Sequence, residues 1–201
     1  MVETTNLVDN DRFMAGYTWE EYLDRVERNR DQFLAAYEAL EFTGAEEAWV
    51  RSIKCKTYVL GIGEDWCPDV FTNMPVVPKM ASLNPEHIVV RIFPRDERKD
   101  GKSAPYQEVG KTPDVVRFKN HDLMSLYLHG ENQSMSIPAF GFFDEDWNEF
   151  GRFVGGRPRL YWHWLDTMGK ERAIQERLGE FMRHNRGREM FWEIRKILES
   201  R

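Results

Sequence analysis

The sequence predicts an α/β fold in which helices flank a central mixed sheet of about four strands. Two apolar runs rich in strand-forming residues, 56–62 and 86–93, have the length and composition of buried strands. Two further runs of this kind, within 137–154, lie on either side of the acidic turn 144–146, which indicates a hairpin. Apolar residues at helical spacing precede the first strand and return after Pro158. The sheet is therefore expected between helical segments.

Length and composition limit the possible functions. A chain of 201 residues is long enough for one well-cored domain with additions. With 41% hydrophobic and 31% charged residues and a net charge of −6, nothing favours nucleic acid as a partner. The first residues lack a basic start followed by an apolar stretch, and no window approaches the length of a membrane span, so we expect a cytoplasmic protein without a membrane partner. Two cysteines cannot form the disulfide framework of a secreted domain.

Residues 1–55 are predicted to form an N-terminal helical extension. Thr18 and Glu21 have the spacing of a capping box, in which the two side chains and the backbone bond each other reciprocally. Apolar residues then recur at helical spacing, which predicts one long amphipathic helix over 18–43. A shorter helix is expected over 45–53.

Residues 56–157 are predicted to form the core domain. A helical run over 70–83 follows the first strand, and Pro75 and Pro78 interrupt it, so this helix should be kinked. Most of 95–119 has turn residues and mixed charges, which indicates a loop insertion in the core.

The C-terminal part, 158–201, is expected to form a helical pair that packs on the core, and its helical pattern is interrupted near Gly169 and again at 185–187. A short helix around 122–128 should precede the hairpin. Trp162, His163 and Trp164 invite a binding site, but aromatic residues beside a helical leucine are more typical of packing or a subunit contact.

The candidate for chemistry is Cys67, which lies where the first strand passes into the kinked helix. Unpaired backbone N–H groups and the positive end of the helix dipole favour the thiolate over the thiol, and the thiolate is the nucleophile. The alternative is a buried, inert cysteine, which is common in proteins. The flanking Trp66 and Pro68 at a strand–helix junction favour the reactive alternative.

Four features together resemble the thioredoxin family. They are the Trp66-Cys67 pair after a buried strand, Pro75 eight positions beyond Cys67, Ile137-Pro138 at the start of a later strand, and Gly155-Gly156 after the last strand. More narrowly, the Trp-Cys-x-Asp turn resembles a bacterial branch of thioredoxin-like proteins with a single cysteine in this turn.

The resemblance implies a thioredoxin-like fold and a substrate groove. It implies that Pro138 is a cis-proline beside Cys67, and that the backbone of Ile137 pairs with an extended substrate. Trp66 and Pro68 would then line the same groove. The alternative for Pro138 is an ordinary proline at the start of a strand.

The sequence departs from the family at the second active-site cysteine, since Val70 occupies that position. The other cysteine, Cys55, precedes the strand whose far end carries Cys67, so the two are separated by roughly 20 Å or more. A disulfide needs Cα atoms within about 7 Å, so both cysteines are expected to be free thiols. Any turnover must use an external thiol, either a small one such as glutathione or one on a partner protein.

A second departure concerns the buried acid that thioredoxins keep beneath the turn, because Gly61 stands at the matching position. Asp69 is the candidate to supply a carboxylate for proton transfer. Its alternative role is to stabilise the first turn of a helix and nothing else. Its charge would oppose thiolate formation at Cys67.

Three functions remain open. The leading one is single-cysteine thiol–disulfide exchange with a protein disulfide or a small thiol as substrate. The second is a non-catalytic protein-interaction or redox-sensing module. The third is a structural protein that dimerises through its aromatic terminal helices, which leaves a homodimer open. No cofactor is expected, and the five histidines show no metal-ligand spacing, so no metal is expected.

Overall fold

The computed structural model describes residues 7–104, 107–109, 111–117, 119–185 and 187–201. The first six residues of the predicted N-terminal extension lie outside the described residues, as do positions 105, 106, 110 and 118 of the predicted insertion. Arg186 also lies outside them.

A four-stranded mixed sheet forms the centre of the molecule, as predicted. The strands of this sheet are β1 (Thr57–Gly63), β2 (Ile88–Pro94), β5 (Ala139–Phe143) and β6 (Glu149–Phe153). They are arranged in the order β2-β1-β5-β6; β1 and β2 are parallel, whereas β5 pairs antiparallel with β1 and with β6. Nearly all residues of β1 and β5 are buried, because helices cover both faces, and this explains their almost continuous apolar sequence.

Helices from the N-terminal and the C-terminal parts of the chain surround this sheet. They are α1 (Asn10–Met14), α2 (Trp19–Arg25), α3 (Arg30–Ala39), α4 (Gly44–Ser52), α5 (Pro68–Asn73), α6 (Val76–Leu83), α7 (His121–Met124), α8 (Arg159–Met168), α9 (Arg172–His184) and α10 (Arg188–Glu199). No helix in the part of the chain that the structure describes is both long and apolar enough to cross a membrane.

The prediction of one long helix over 18–43 is wrong, because two helices, α2 and α3, occupy this segment. The capping box of Thr18 and Glu21 is present at the start of α2. Between the helices the backbone N–H groups of Glu27 and Arg28 both donate to Asp65 Oδ2 at 3.2 Å. Those donors would otherwise continue the helix, so a distant carboxylate interrupts it.

The predicted kink after the Cys67 turn lies at Met74 and Pro75, which divide the helix into α5 and α6 while their backbone dihedrals stay in the right-handed helical region. Pro78 lies inside α6 without interrupting it, in the first turn, where the missing N–H costs little. Val76, Val77 and Met80 of α6 are buried against the sheet.

The predicted loop insertion and the predicted C-terminal pair differ from the structure. Within 95–119, β3 (Glu97–Arg98) and β4 (Val115–Val116) form a small antiparallel ribbon. The described residues of the C-terminal part form three helices rather than a pair, and the helices are separated at the two predicted interruptions, Gly169 and near Gly187, both of which have positive φ.

The terminal helices contribute to the main core. Phe13 and Phe33 from the N-terminal helices and Phe191 from α10 are fully buried in the same cluster as Phe140 of β5. Each such side chain contributes about 1.5–3 kcal/mol through burial, so these helices stabilise the sheet. A second, smaller cluster joins α8 and α9 through Tyr161, Leu165, Leu178 and Met182.

Candidate active site around Cys67

The turn that carries Cys67 connects the end of β1 to α5. Cys67 is the N-cap residue of α5, and its carbonyl accepts from Val70 N at 3.0 Å and, as the first α-helical bond, from Phe71 N at 3.2 Å. A side chain at Gly63 would place its Cβ 2.5 Å from Met74 Cε and 2.7 Å from Val70 Cγ1. Glycine at the strand end therefore lets α5 pack closely enough to hold Cys67 at the sheet edge.

The structure brings Cys67 and the start of the later strand together. Cys67 Sγ lies 3.7 Å from the carbonyl oxygen of Ile137, and the Ile137–Pro138 peptide is cis. Gly156 fits against this segment because a Cβ there would lie 2.6 Å from Ile137 O, and its φ of +76° suits glycine. Residues that are 70 positions apart thus meet at one site.

Trp66 and Pro68 flank the cysteine. The Trp66 ring lies 5.0 Å from the guanidinium carbon of Arg95, which indicates a cation–π contact. Arg95 also pairs with the buried Asp96 at 2.9 Å and donates to Met135 O at 3.3 Å. Pro68 occupies the first helical position of α5, where its fixed φ suits the helix.

Asp69 points toward the C-terminal part of the chain and not toward the sheet. Its Oδ1 accepts from Arg157 Nε at 2.8 Å, and the Arg157 guanidinium carbon lies 4.2 Å from the centre of the Tyr161 ring. Burial raises the pKa of the Asp69 carboxyl, while the positive charges of Arg157 and Arg183 lower it. Whether Asp69 transfers protons stays a prediction.

A model of the family described as thioredoxin matches residues 16–118, which is just over half of the chain and includes the Cys67 turn. The chain belongs to the thioredoxin family. The match begins at residue 16, just before α2 and inside the segment that the sequence predicts as an N-terminal extension. No curated protein matches the chain.

Two solved structures share the thioredoxin-like fold over nearly the whole chain. One is a protein of unknown function from Pseudomonas aeruginosa, 18% identical with a TM-score of 0.57, covering 91% of this chain and 95% of its own. The other is an HIV epitope scaffold, 20% identical with a TM-score of 0.61, covering 94% and 96%. At these identities the likeness concerns the fold alone.

The expectation that the turn favours the thiolate is wrong for this thioredoxin-family site. Burial raises the pKa of the Cys67 thiol to about 11, and the negative charge of Asp69 acts in the same direction. The N–H groups of Val70 and Asp69 and the charge of Arg95 lower this pKa by less. The loss of hydration therefore raises the pKa of Cys67 by more than the first turn of the six-residue helix lowers it.

The buried acid missing at position 61 has a steric explanation. A Cβ on Gly61 would lie 2.9 Å from Phe140 Cε1, so the Phe140 ring occupies the space that a carboxylate would need. Acids are buried at the end of β1 instead, because Glu64 and Asp65 are both fully buried. Their position directly before the Trp-Cys pair was the available sequence signal, and our sequence interpretation did not use it.

Glu64 is fully buried beneath the turn. Its Oε1 accepts from the backbone N–H of Asp96 at 2.5 Å. Burial raises the pKa of Glu64 well above its ordinary value; the charge of Arg25 opposes this, and Asp96 and Asp65 add to it.

Glu64 belongs to a buried polar cluster formed by Tyr22, Arg25, Glu64 and Asp65. Among the described residues, six polar atoms of this cluster have no hydrogen-bond partner: Tyr22 Oη, the three guanidinium nitrogens of Arg25, Glu64 Oε2 and Asp65 Oδ1. Arg25 lies 5.6 Å from the centre of the Tyr22 ring. Because orphaned buried polar atoms are costly, ordered water is the expected occupant of this cluster.

The two cysteines are both free thiols, with Cys55 exposed and Cys67 partly buried. Within the described ranges, no three His, Cys, Asp or Glu side chains are grouped so as to hold a metal ion.

Proposed function

We propose that this thioredoxin-family protein carries out thiol–disulfide exchange with Cys67 as its single reacting cysteine. The observation that supports this best is the position of Cys67 Sγ, at a strand–helix turn and 3.7 Å from Ile137 O. That position places the sulfur beside a backbone segment on which an extended substrate can pair. Trp66, Pro68 and Pro138 are proposed as the side chains that line this groove.

The proposed reaction has two exchanges. In the first, the Cys67 thiolate attacks one sulfur of a substrate disulfide, forms a mixed disulfide and releases the other sulfur as a thiolate. In the second, an external thiol attacks the substrate sulfur of the mixed disulfide, forms a new disulfide with it and returns Cys67 as a thiol. Val70 at the position of a second cysteine makes the external thiol necessary.

The high pKa of Cys67 makes the first exchange slow at neutral pH. With a pKa of about 11, roughly one thiol in 10⁴ is ionised at pH 7. A more basic thiolate is a better nucleophile, which recovers about half of this loss on a logarithmic scale. The exchange rate is therefore expected to rise steadily with pH up to about 11.

The same pKa favours a second candidate function, a redox-sensing or protein-interaction module. A basic thiol leaves slowly from a mixed disulfide, so an adduct on Cys67 would persist after it forms. A cytoplasmic setting belongs to both proposals, because it would supply the reduced thiols that release Cys67.

The test uses a Cys55→Ser background, since Cys55 is exposed and would react by itself. The protein is incubated with oxidised glutathione at pH 7 and pH 9, and mass spectrometry follows the mixed disulfide. Reduced glutathione is then added to measure its release, with Cys67→Ser as the control.

Formation and release on the same timescale, both faster at pH 9, support turnover. An adduct that forms but is not released favours the sensing module. If no adduct forms on Cys67 at either pH, the exchange proposal is wrong.

A further inference from the structure

A cleft of about 830 Å³ lies where the central sheet ends, beside β6. Residues 150–152 of β6, residues 158–160 at the start of α8, and α10 line this cleft, which we call the β6 cleft. Among the described residues, none from the Cys67 turn or the Ile137–Pro138 segment lines it. The β6 cleft is therefore separate from the candidate active site.

The β6 cleft meets the edge of the strand rather than one of its faces. Gly151 faces α10, because a Cβ at this position would collide with Ile197 Cγ2. Arg152 faces the opposite side, where its Nη1 donates to Leu126 O at 3.0 Å and its guanidinium carbon lies 5.7 Å from the centre of the Tyr127 ring. Both residues line the cleft although their side chains point to opposite faces. The cleft therefore reaches the strand backbone between them.

The outer side of β6 is an open sheet edge. One side of β6 pairs with β5, and no strand in the part of the chain that the structure describes pairs with the other side. The register shift of β6 lies before Gly151, so the strand is regular where it borders the cleft. The outward N–H and C=O groups of such an edge are a template for a further strand. The cleft thus offers main-chain hydrogen bonds next to room for side chains.

Apolar side chains line the β6 cleft and are exposed there. Leu160 is 39% exposed and Trp192 is 45% exposed. Phe150 and Ile197, which are partly buried against the core, contribute further apolar surface. An exposed tryptophan in a cleft is typical of the anchors that dominate protein interfaces. The segment that binds here is therefore expected to carry apolar side chains.

Basic side chains outnumber acidic ones around the β6 cleft. Lys196 is exposed and makes no ion pair with a described residue. A symmetric contact between two copies would place this basic surface against itself, which is unfavourable. An acidic partner complements it instead. The charged lining residues are Arg152, Arg159, Arg188 and Lys196, with Glu189 and Glu193.

We propose that the β6 edge binds an extended, acidic segment of a partner protein as a fifth strand of the central sheet. Alternate apolar side chains of that segment lie in the β6 cleft against Leu160 and Trp192. Its acidic side chains lie along the basic rim that includes Lys196. The inference does not depend on the chemistry of Cys67.

The binding experiment uses the full chain and a synthetic heptapeptide that alternates glutamate with valine and is capped at both ends. In isothermal titration this peptide should bind one-to-one with a Kd below about 1 mM. A peptide that alternates lysine with valine should bind at least about tenfold more weakly, because its charges meet the basic side chains of the cleft.

N-methylated peptides test whether the segment binds as a strand. In an extended chain, the N–H groups of successive residues point to opposite edges. One peptide is therefore N-methylated at its glutamates and a second at its valines. The peptide whose methyl groups face β6 should lose binding, whereas the other should stay within about threefold of the unmodified peptide.

Variants of the chain test the position of the peptide. Trp192→Ala should weaken binding about tenfold or more, and Lys196→Glu about threefold or more. Phe181→Ala and Arg177→Glu are the matched controls, because both residues are exposed on α9 and neither lines the cleft. Phe181 is 45% exposed, as is Trp192, and the affinity of either control should stay within about twofold.

Each outcome decides the inference. Loss of binding with only one of the methylated peptides, together with weaker binding by Trp192→Ala and Lys196→Glu, supports it. No saturable binding of the acidic peptide, or the same affinity for both methylated peptides, overturns it. Sedimentation that shows a dimer abolished by Trp192→Ala, without peptide binding, would mean that a second copy occupies the cleft, which also overturns it.

Discussion

Replacing Asp69 by asparagine should make Cys67 more reactive at neutral pH. The negative charge of Asp69 is the second-largest cause of the raised pKa of Cys67, after burial. Asparagine keeps the size and the hydrogen-bonding capacity of the side chain but removes the charge.

The size of the effect follows from the causes of that pKa. One neighbouring charge shifts a pKa by about 1–3, and because burial is the larger cause here, we take the lower end. A pKa lower by about 1 raises the thiolate fraction about tenfold at pH 7. The thiolate becomes about threefold less nucleophilic at the same time, so the net increase in rate is at least about threefold.

The assay is the rate of iodoacetamide alkylation of Cys67 from pH 6 to pH 11, in the Cys55→Ser background, with mass spectrometry as the readout. The parent should show a rate that still rises near pH 10, and the Asp69→Asn variant a rate profile displaced to lower pH. Glu176→Gln serves as the control, because it removes a negative charge from α9, across a cleft that Asp69 lines, and leaves Asp69 in place. An unchanged or slower rate in Asp69→Asn would refute the assignment of causes to the pKa of Cys67.

Three further predictions test the turn, the core and the buried acid. Val70→Cys should form a disulfide with Cys67, because the residues are one helical turn apart at the start of α5; with dithiothreitol as the reductant, the dithiol form of the variant should reduce insulin faster than the parent and become the disulfide, and inability to form the bond would contradict this geometry. Phe191→Ala should lower the free energy of unfolding in urea by about 3–5 kcal/mol, because Phe191 is fully buried, whereas the half-exposed Trp192→Ala should cost about 1 kcal/mol or less. Glu64→Gln should make the free energy of unfolding depend less on pH. The pKa of Glu64 is raised in the folded state, so the stability that its protonated form contributes is complete below the unfolded-state pKa of about 4.3. This stability is lost as the pH rises through the folded-state pKa. Urea unfolding at pH 5 and pH 8 checks this, and an equal loss of stability in both proteins would show that Glu64 is not the group responsible.

Local chemistry determined much of the fold. The strands of the central sheet could be predicted because runs of apolar and β-branched residues between turn signals have few alternatives. The capping box at Thr18 could be predicted from a spacing of three residues, and the break at Pro75 from the missing N–H of proline. The strand–helix turn at Cys67 could also be predicted from local sequence, since the residues that form it are adjacent in the chain.

The tertiary structure decided the properties of the site, because they depend on groups that are distant in sequence. The break between α2 and α3 arises from bonds to Asp65, 37 and 38 positions away, and no local pattern contains that carboxylate. Asp69 meets Arg157 across 88 positions, which joins the active-site helix to a C-terminal hairpin. The pKa of Cys67 depends on how the assembled fold buries the thiol. The loss of hydration raises this pKa by more than the helix end, which can be recognised from the sequence, lowers it.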